Sequence, residues 1–366
     1  MRRRIVKRQR QREADDGEGH QQPTDPLQPT FPGGPSDVSL WVRFERALSQ
    51  ILSVRNELDD DSTSVLHTLD LTLTTTFDFC DDFPPSTDVV FKRVVRYALS
   101  HNVQRLRYPI TCHINPFPPL FSSQTLTSLD LSVPFRFLRF CAIFSFPTHL
   151  NLPSLTNLTL SYFRFGAGDD GYADPFSAFN KLNTLTIIYC YVVNQRILNR
   201  GGMYLDDYNQ PLKLRISPPS LCNLAFTGNT SQKLCLTHPC SLQHLYIDAE
   251  NAGFVDSLVQ EDSAVLLSSL QGLPNIRSLT VSSNTLQVLS LVPSLFKVKL
   301  TSFSNLESLQ VQMKPLSCQL YNILSYGKFM IRGVNLHEAT IIPDGVVDCL
   351  IQNSPSANVT VIPYNK

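Results

Sequence analysis

The sequence has few charged residues and no excess of either sign. Only 17% of its 366 residues are charged, and the 31 basic side chains equal the 31 acidic ones in number. A chain that binds nucleic acid along its length carries a basic excess, so this balance argues against a polyelectrolyte role. We expect the folded part to present a neutral surface.

The sequence also lacks paired cysteine motifs and long apolar runs. Its nine cysteines include no Cys-x-x-Cys pair, which predicts reduced thiols in an intracellular protein. The basic opening, Met1 to Arg12, is not followed by the apolar run of a secretory signal, and no stretch approaches the length of a membrane span. We therefore expect no membrane association and a location in the nucleus, the cytoplasm or both. The basic tract suits nuclear import or contact with a nucleic-acid backbone, and the alternative is a solvated tail.

Motifs of catalysis and nucleotide binding are missing as well. There is no H-E-x-x-H, no G-x-S-x-G and no P-loop. A literal G-x-G-x-x-G occurs as GAGDDG from Gly166, but Asp169 and Asp170 would repel phosphate and no helix is expected to follow. We interpret it as a solvent turn, and expect no catalytic residue and no cofactor.

One group of residues has the chemistry of metal ligands. Cys235, His238, Cys240 and His244 follow the spacing C-x-x-H-x-C-x-x-x-H, and Cys and His are the ligands that zinc prefers. Structural zinc sites normally take paired ligands from two separate knuckles, whereas His244 falls inside a strand phrase. We therefore predict no metal site.

What the chain does contain is a recurring phrase, L-x-x-L-x-L, clearest at Leu155, Leu158 and Leu160. Side chains alternate across a strand, so the leucines face one way and the intervening polar residues the other. Further copies begin at Leu126, Leu182, Leu242, Ile276 and Leu306, and degenerate copies at Leu66, Val103 and Leu221.

One such unit cannot bury its apolar face alone, so copies must stack. The phrase predicts an α/β leucine-rich-repeat solenoid, a horseshoe with a concave parallel β-sheet and convex helices or loops. An Asn or Cys often follows the last apolar position by three residues, as do Cys190, Asn229 and Asn284 here. The start-to-start spacing is uneven, so the repeats are expected to be irregular.

The chain divides into two regions. Residues 1–37 are basic and then Pro-rich, which predicts a disordered tail, and residues 38–366 are expected to form the repeat domain, with cap structures at both ends. Helices are predicted at 38–56, 89–99, 261–270, 285–298 with an interruption at Pro293, and 345–350, and a closing strand at 358–362.

The candidate binding surface consists of the polar residues that flank the strand leucines. They are neutral, rich in hydroxyl groups and without a basic stripe, which favours a protein or peptide partner over nucleic acid. His244, Tyr246 and Asp248 are the expected anchors, because aromatic side chains dominate binding hot spots. The partner-binding residues predicted on this face are Asp70, Asp130, Asn157, Thr159, Thr184, Thr186, His244, Tyr246, Asp248, Thr280 and Gln310.

Several longer phrases resemble a known family. LNLPSLTNLTL, ADPFSAFNKLNTLTI (Ala173 to Ile187), PPSLCNLAFTG (Pro218 to Gly228) and NTLQVLSLVPSLFKVKL (Asn284 to Leu300) are similar to those of plant F-box/leucine-rich-repeat proteins, a group large in legumes. The resemblance implies a substrate receptor of a cullin-RING ubiquitin ligase, whose F-box docks on a Skp-type adaptor. The F-box phrase, L-P-x-x-[IL]-[LI]-x-x-I-[LM]-x-x-L, is not visible, and a Pro-rich segment stands in its place.

We therefore expect a non-catalytic recognition solenoid that resembles the substrate-binding part of such a receptor. The alternative is a stand-alone binding module, or a decoy that competes with intact receptors. A third class, a carbohydrate-active enzyme on a β-solenoid, requires helix-poor repeats and a carboxylate cluster.

Overall fold

The computed structural model describes residues 46, 50, 67–70, 86–109, 122–132, 144–147, 150–194, 212–229, 232–237, 241–250, 256–274, 276–317, 320 and 341–364. The predicted tail at 1–37 lies outside these residues. So does the helix predicted at 38–56, apart from Arg46 and Gln50, which are both helical.

The described residues form an α/β structure built mainly of short parallel strands. In chain order these are β1 (Thr68–Asp70), β2 (Arg105–Pro109), β3 (Ser128–Ser132), β4 (Phe144–Ser145), β5 (Asn157–Ser161), β6 (Phe163–Ala167), β7 (Tyr172–Ala173), β8 (Thr184–Ile188), β9 (Tyr191–Asn194), β10 (Lys213–Ile216), β11 (Asn223–Asn229), β12 (Lys233–Leu236), β13 (His244–Glu250), β14 (Ser278–Ser282), β15 (Ser308–Gln312) and β16 (Asn358–Ile362). Ten of them form one parallel sheet in the order β1-β2-β3-β5-β8-β11-β13-β14-β15-β16.

The register of this sheet aligns the apolar positions of the sequence phrases. Leu158 lies beside Leu129 on one side and Leu185 on the other, and Leu245 lies beside Leu279. These side chains are at most 2% exposed, whereas the residues between them are not buried. Alternation along each strand thus gives the sheet one apolar and one polar face, and this arrangement is compatible with a solenoid-like α/β fold.

Between β3 and β13 the second layer of the molecule consists of strands. The chain leaves the large sheet to form two three-stranded parallel sheets, β4-β6-β9 and β12-β10-β7. On this side the described residues between β3 and β13 form the expected loops together with strands that were not predicted. Phe163, Phe165 and Phe176 fill the space between the layers, all at most 1% exposed, with edge-on ring contacts through Phe146.

Helices lie towards the two ends of the described chain, as α1 (Ser86–Ser100), α2 (Asp256–Gln271), α3 (Ser283–Ser290) and α4 (Val346–Ile351). They fall where the periodicity predicts, and the helix expected over 285–298 ends before Pro293. A short 3₁₀ turn, Leu295–Lys297, follows it. Within the described residues no helix combines the length and the apolar character that crossing a membrane requires.

The Gly-rich segment after β5 differs in detail from the predicted turn. Gly166 belongs to β6, and the turn itself spans 168–171. Asp170 Oδ1 accepts a hydrogen bond from the backbone N–H of Tyr172 at 3.1 Å, and Gly171 adopts a φ of +75°. The carboxylate thus closes the turn from within, as Asp commonly does.

Candidate functional site: the polar face of the ten-stranded sheet

Two rows of side chains run across the polar face, because the strands pair in register. We call them the first row and the second row. The first row consists of Thr68, Arg105, Ser128, Asn157, Thr184, Asn223, His244, Ser278, Ser308 and Asn358. The second row consists of Asp70, Arg107, Asp130, Thr159, Thr186, Ala225, Tyr246, Thr280, Gln310 and Thr360. None of these residues is buried.

The residues predicted from the sequence lie in these rows with one exception. Asn157, Thr184 and His244 are in the first row, and the others except Asp248 are in the second. Adjacent parallel strands are about 4.8 Å apart, so residues far apart in sequence form a continuous hydroxyl-rich surface. Asp248 lies two residues beyond Tyr246, beside Thr227 of the neighbouring strand.

Arg107, which sequence reasoning did not select, lies between two of the predicted acids. Its Nε donates to Asp130 Oδ2 at 2.8 Å and its Nη1 to Asp70 Oδ2 at 3.3 Å. The hydrogen bond and charge of Asp130, with the charge of Asp70, raise the pKa of the Arg107 guanidinium. These side chains are largely solvated, so the bridges add little stability, but they neutralise the acidic end of the second row. The sequence did contain a signal for Arg107: in the degenerate phrase that begins at Val103, the two residues that flank Leu106 are both arginines.

A second charged group lies near the other end of the sheet. Lys314, two residues after β15, donates a hydrogen bond to Asp248 Oδ2 and another to Tyr246 Oη at 3.0 Å. The Asp248 side chain is 4% exposed and that of Lys314 34%. Burial lowers the pKa of Lys314, but its bonds to Asp248 and Tyr246 outweigh this and raise it. Lys314 thus remains charged at neutral pH and compensates a buried carboxylate.

Backbone contacts from the start of α3 hold both partners of this pair. Thr285 Oγ1 donates to the carbonyl of Ile247 and accepts from the N–H of Ala249, the two residues flanking Asp248. Ser283 Oγ accepts from the N–H of Lys314 at 2.9 Å. Because the helix begins directly at the end of β14, its first turn reaches the strands on both sides. The group is therefore rigidly positioned.

Asp248 is consequently not an exposed anchor. Its Oδ1 is buried and has no hydrogen-bond partner among the described residues, and the residue is 3% exposed. Tyr246 and Lys314 are the members of the group that solvent reaches. No local pattern around Lys314 pointed to this role. The residue lies beyond the end of its strand, and its partner Asp248 is 66 residues away in the sequence.

The structure places the proposed zinc ligands on different sheets. Cys235 is on β12 of a three-stranded sheet and His244 begins β13 of the large sheet. His238 and Cys240 lie outside the described residues. Within those residues no three His, Cys, Asp or Glu side chains come together in a way that could hold a metal ion.

Comparison with known proteins adds no assignment: no protein-family model, no curated protein and no solved structure matches the chain.

Proposed function

We propose that the chain is a non-catalytic recognition domain of the leucine-rich-repeat type, which binds a protein or peptide through the polar face of its large sheet. The observation that carries this proposal is the exposure of the side chains in the two polar rows. Their side chains are not buried, while the apolar residues alternating with them are almost fully buried from β3 to β15. A broad, pre-formed surface of this kind is typical of binding domains built from stacked units.

The contacts of two residues, Cys190 and Asn284, support the leucine-rich-repeat interpretation of the fold. Cys190 Sγ accepts from the N–H of Phe163 at 3.4 Å and lies 3.5 Å from the carbonyl of Leu160, both on the preceding turn of the chain. Asn284 Nδ2 donates to the carbonyl of Pro315 on the following one. Both residues occupy the Asn/Cys slot of the phrase, where a small polar side chain satisfies the backbone of a neighbouring unit.

The charge of the face favours a polypeptide partner. Arg107 is neutralised by Asp70 and Asp130, and Lys314 by Asp248. Arg105 is the remaining cation of the two rows, and hydroxyl and amide groups make up most of the rest, together with His244 and Tyr246. Such a surface offers hydrogen bonds and one aromatic anchor, whereas nucleic-acid binding requires several unpaired cations along the contact.

Site-specific photo-cross-linking tests which face binds. A photoreactive amino acid at Thr159, Thr186 or Thr280 should join the chain to the same protein target in an extract of the source tissue. The matched control carries the photoreactive group at Ser177, which is exposed in the segment between β7 and β8. Equal cross-linking from Ser177 and from the three threonine positions would overturn the proposal.

The resemblance to F-box/leucine-rich-repeat receptors leads to a second question, whether the chain acts in ubiquitin ligation. Co-purification with a Skp-type adaptor, in the presence of cullin, distinguishes the two possibilities. A stoichiometric complex would support a substrate receptor. Absence of the adaptor from the purified sample, under conditions in which an intact F-box protein binds it, would favour a stand-alone module or decoy.

One observation favours an enzyme on a β-solenoid more than the sequence did: the described residues between β3 and β13 form strands and loops without a helix. Against it, the acids near the polar face at Asp70, Asp130 and Asp248 are each bonded to a cation. Release of reducing sugar from pectin by the purified chain, lost on D130N substitution, would support the enzyme instead.

A further inference from the structure

The outward side of the sheet β12-β10-β7 carries a group of cations around one aromatic ring. Alternation buries Leu214, Ile216 and Leu234 beneath this sheet. Lys213, Arg215, Lys233 and Tyr172 therefore point to the other side, where all four are half-buried. We call these four residues the basic patch.

Tyr172 organises two of the three cations. Lys213 Nζ lies 4.7 Å and Arg215 Cζ 4.4 Å from the centroid of its ring. Both distances are within the range of cation–π attraction. The aromatic ring therefore restrains the Lys213 and Arg215 side chains without neutralising their charges.

Lys233 adds a third cation at close range. It pairs in register with Lys213, so the two backbones are about 4.8 Å apart. The two lysine side chains are therefore neighbours on the same side of the sheet, where their like charges repel each other.

No carboxylate forms an ion pair with these three cations among the described residues. The two acids that flank Tyr172 in the sequence have other bonds: Asp170 Oδ1 accepts from the backbone N–H of Tyr172, and Asp174 Oδ1 accepts from Ser217 Oγ at 2.6 Å. On the polar face, by contrast, Arg107 and Lys314 are each bonded to an acid. Within the part of the chain that the structure describes, the basic patch therefore has an uncompensated positive charge.

We propose that the basic patch binds an acidic segment, rich in Asp and Glu, of a partner protein. Charge complementarity identifies this occupant: three cations on a flat sheet match an extended peptide that presents carboxylates on alternate residues. A nucleic-acid partner would require more phosphate contacts than three cations supply, and a chain of higher isoelectric point than about 7.1. The site is separate from the polar face and does not depend on its role.

Fluorescence anisotropy with the full chain tests the proposal. The probe is a fluorescein-labelled peptide of about eight alternating Asp and Gly residues. Binding should weaken steeply between about 50 and about 200 mM NaCl, as screening reduces charge attraction. The triple variant K213Q/R215Q/K233Q should lose about tenfold or more in affinity.

The matched control is K181Q/K297Q/K299Q, which removes three exposed cations elsewhere on the chain and changes the net charge equally. Its affinity should stay within about twofold of the original. Equal weakening by both triples would overturn the proposal, since it would mean that only the net charge matters. Tighter binding of a single-stranded oligonucleotide of equal charge would also overturn it, in favour of nucleic acid.

The role of Tyr172 is tested by two further variants. Tyr172→Phe retains the ring and should bind the peptide as the original does, whereas Tyr172→Leu should weaken binding several-fold. Thermal melting of every variant serves as the folding control. Unchanged affinity in Tyr172→Leu, with an unchanged melting temperature, would refute the positioning role of the ring.

Discussion

At the scale of single residues, the Asp248–Lys314 pair is expected to contribute to stability through charge compensation. A buried carboxylate is tolerated only with a partner, and here the partner approaches from solvent. The Lys314 side chain is 34% exposed against 4% for Asp248, so water screens the lysine but not the acid. Removal of the lysine would leave the carboxylate uncompensated.

Lys314→Met should therefore lower the free energy of unfolding by about 2–3 kcal/mol, less than the ~3–5 kcal/mol for fully buried pairs because Lys314 is partly solvated. Urea denaturation measures the change. The double variant D248N/K314M is the control, and it should recover part of the loss because no unpaired charge remains. An unchanged urea midpoint for Lys314→Met would contradict the role assigned to this pair.

The same pair predicts a dependence on pH in the alkaline range. The pKa of Lys314 is raised above its ordinary value of 10.5. Its stabilising effect is therefore complete below pH 10.5 and is lost as the pH rises through the raised pKa. The stability difference between the original chain and Lys314→Met should shrink above that pH, as followed by urea denaturation. A constant difference up to the most alkaline pH at which both fold would contradict this.

Cys190 gives a prediction about reactivity. Burial raises the pKa of its thiol from 9.0 to about 12, so at pH 8 about one molecule in ten thousand carries the thiolate. Iodoacetamide at pH 8 should leave Cys190 unmodified in the folded chain and alkylate it after denaturation, as measured by peptide mass spectrometry. The half-exposed Cys222 provides the internal control, and alkylation of Cys190 as fast as Cys222 would contradict the prediction.

At the scale of elements, the junction between β14 and α3 joins three strands of the large sheet. Ser282 caps the helix by accepting from the N–H of Thr285 at 3.1 Å. Ser283 and Asn284 bond to the backbone that follows β15. Thr285 bonds to the backbone next to Asp248. All four side chains are at most 2% exposed. A single turn of helix thus fixes the geometry of the polar face at its carboxyl edge.

Thr285→Val should lower the free energy of unfolding by about 1–3 kcal/mol, because it preserves shape but leaves the buried N–H of Ala249 unsatisfied. Thr285→Ser retains the hydroxyl and should lose less than about 1 kcal/mol for the missing methyl group. Chemical denaturation of the two variants measures both losses in the free energy of unfolding. A larger loss in Thr285→Ser than in Thr285→Val would mean that the methyl contact, and not the hydrogen bonds, stabilises the junction.

At the scale of the whole molecule, one apolar cluster extends from Val95 in α1 to Leu350 in α4. Each strand buries its side chains against its two neighbours, so a strand in the middle depends on both. The edge strand β16 differs, since Val359 and Val361 are 39% and 50% exposed. The position of a strand in the large sheet therefore determines how much stability a core substitution in it removes.

Leu185→Ala in β8 should lower the free energy of unfolding by about 2–5 kcal/mol, because the side chain is fully buried and its removal leaves a cavity. Val361→Ala in β16 should lower it by less than about 1 kcal/mol, since half of that side chain is already exposed. Thermal melts of the two variants should differ clearly. Comparable losses at both positions would contradict a core organised in this way.

The sequence by itself determined which residues form the large sheet and which face each side chain takes. That information is local: alternation with a period of two assigns Leu158 and Thr159 to opposite faces whatever the neighbours are. Helix periodicity and the position of Pro293 likewise located the helices. The expected binding residues reached a common face for the same reason.

The tertiary structure alone decided the pairing of the second layer and the contacts between distant side chains. Segments such as β7 and β10 are too short for a pattern to distinguish strand from loop, and their strand state depends on partners elsewhere in the chain. The burial of Asp248, its pairing with Lys314 and the convergence of Tyr172, Lys213 and Lys233 arise only when separate turns of the chain stack. Charge compensation and burial are properties of that stacking, and no local pattern encodes them.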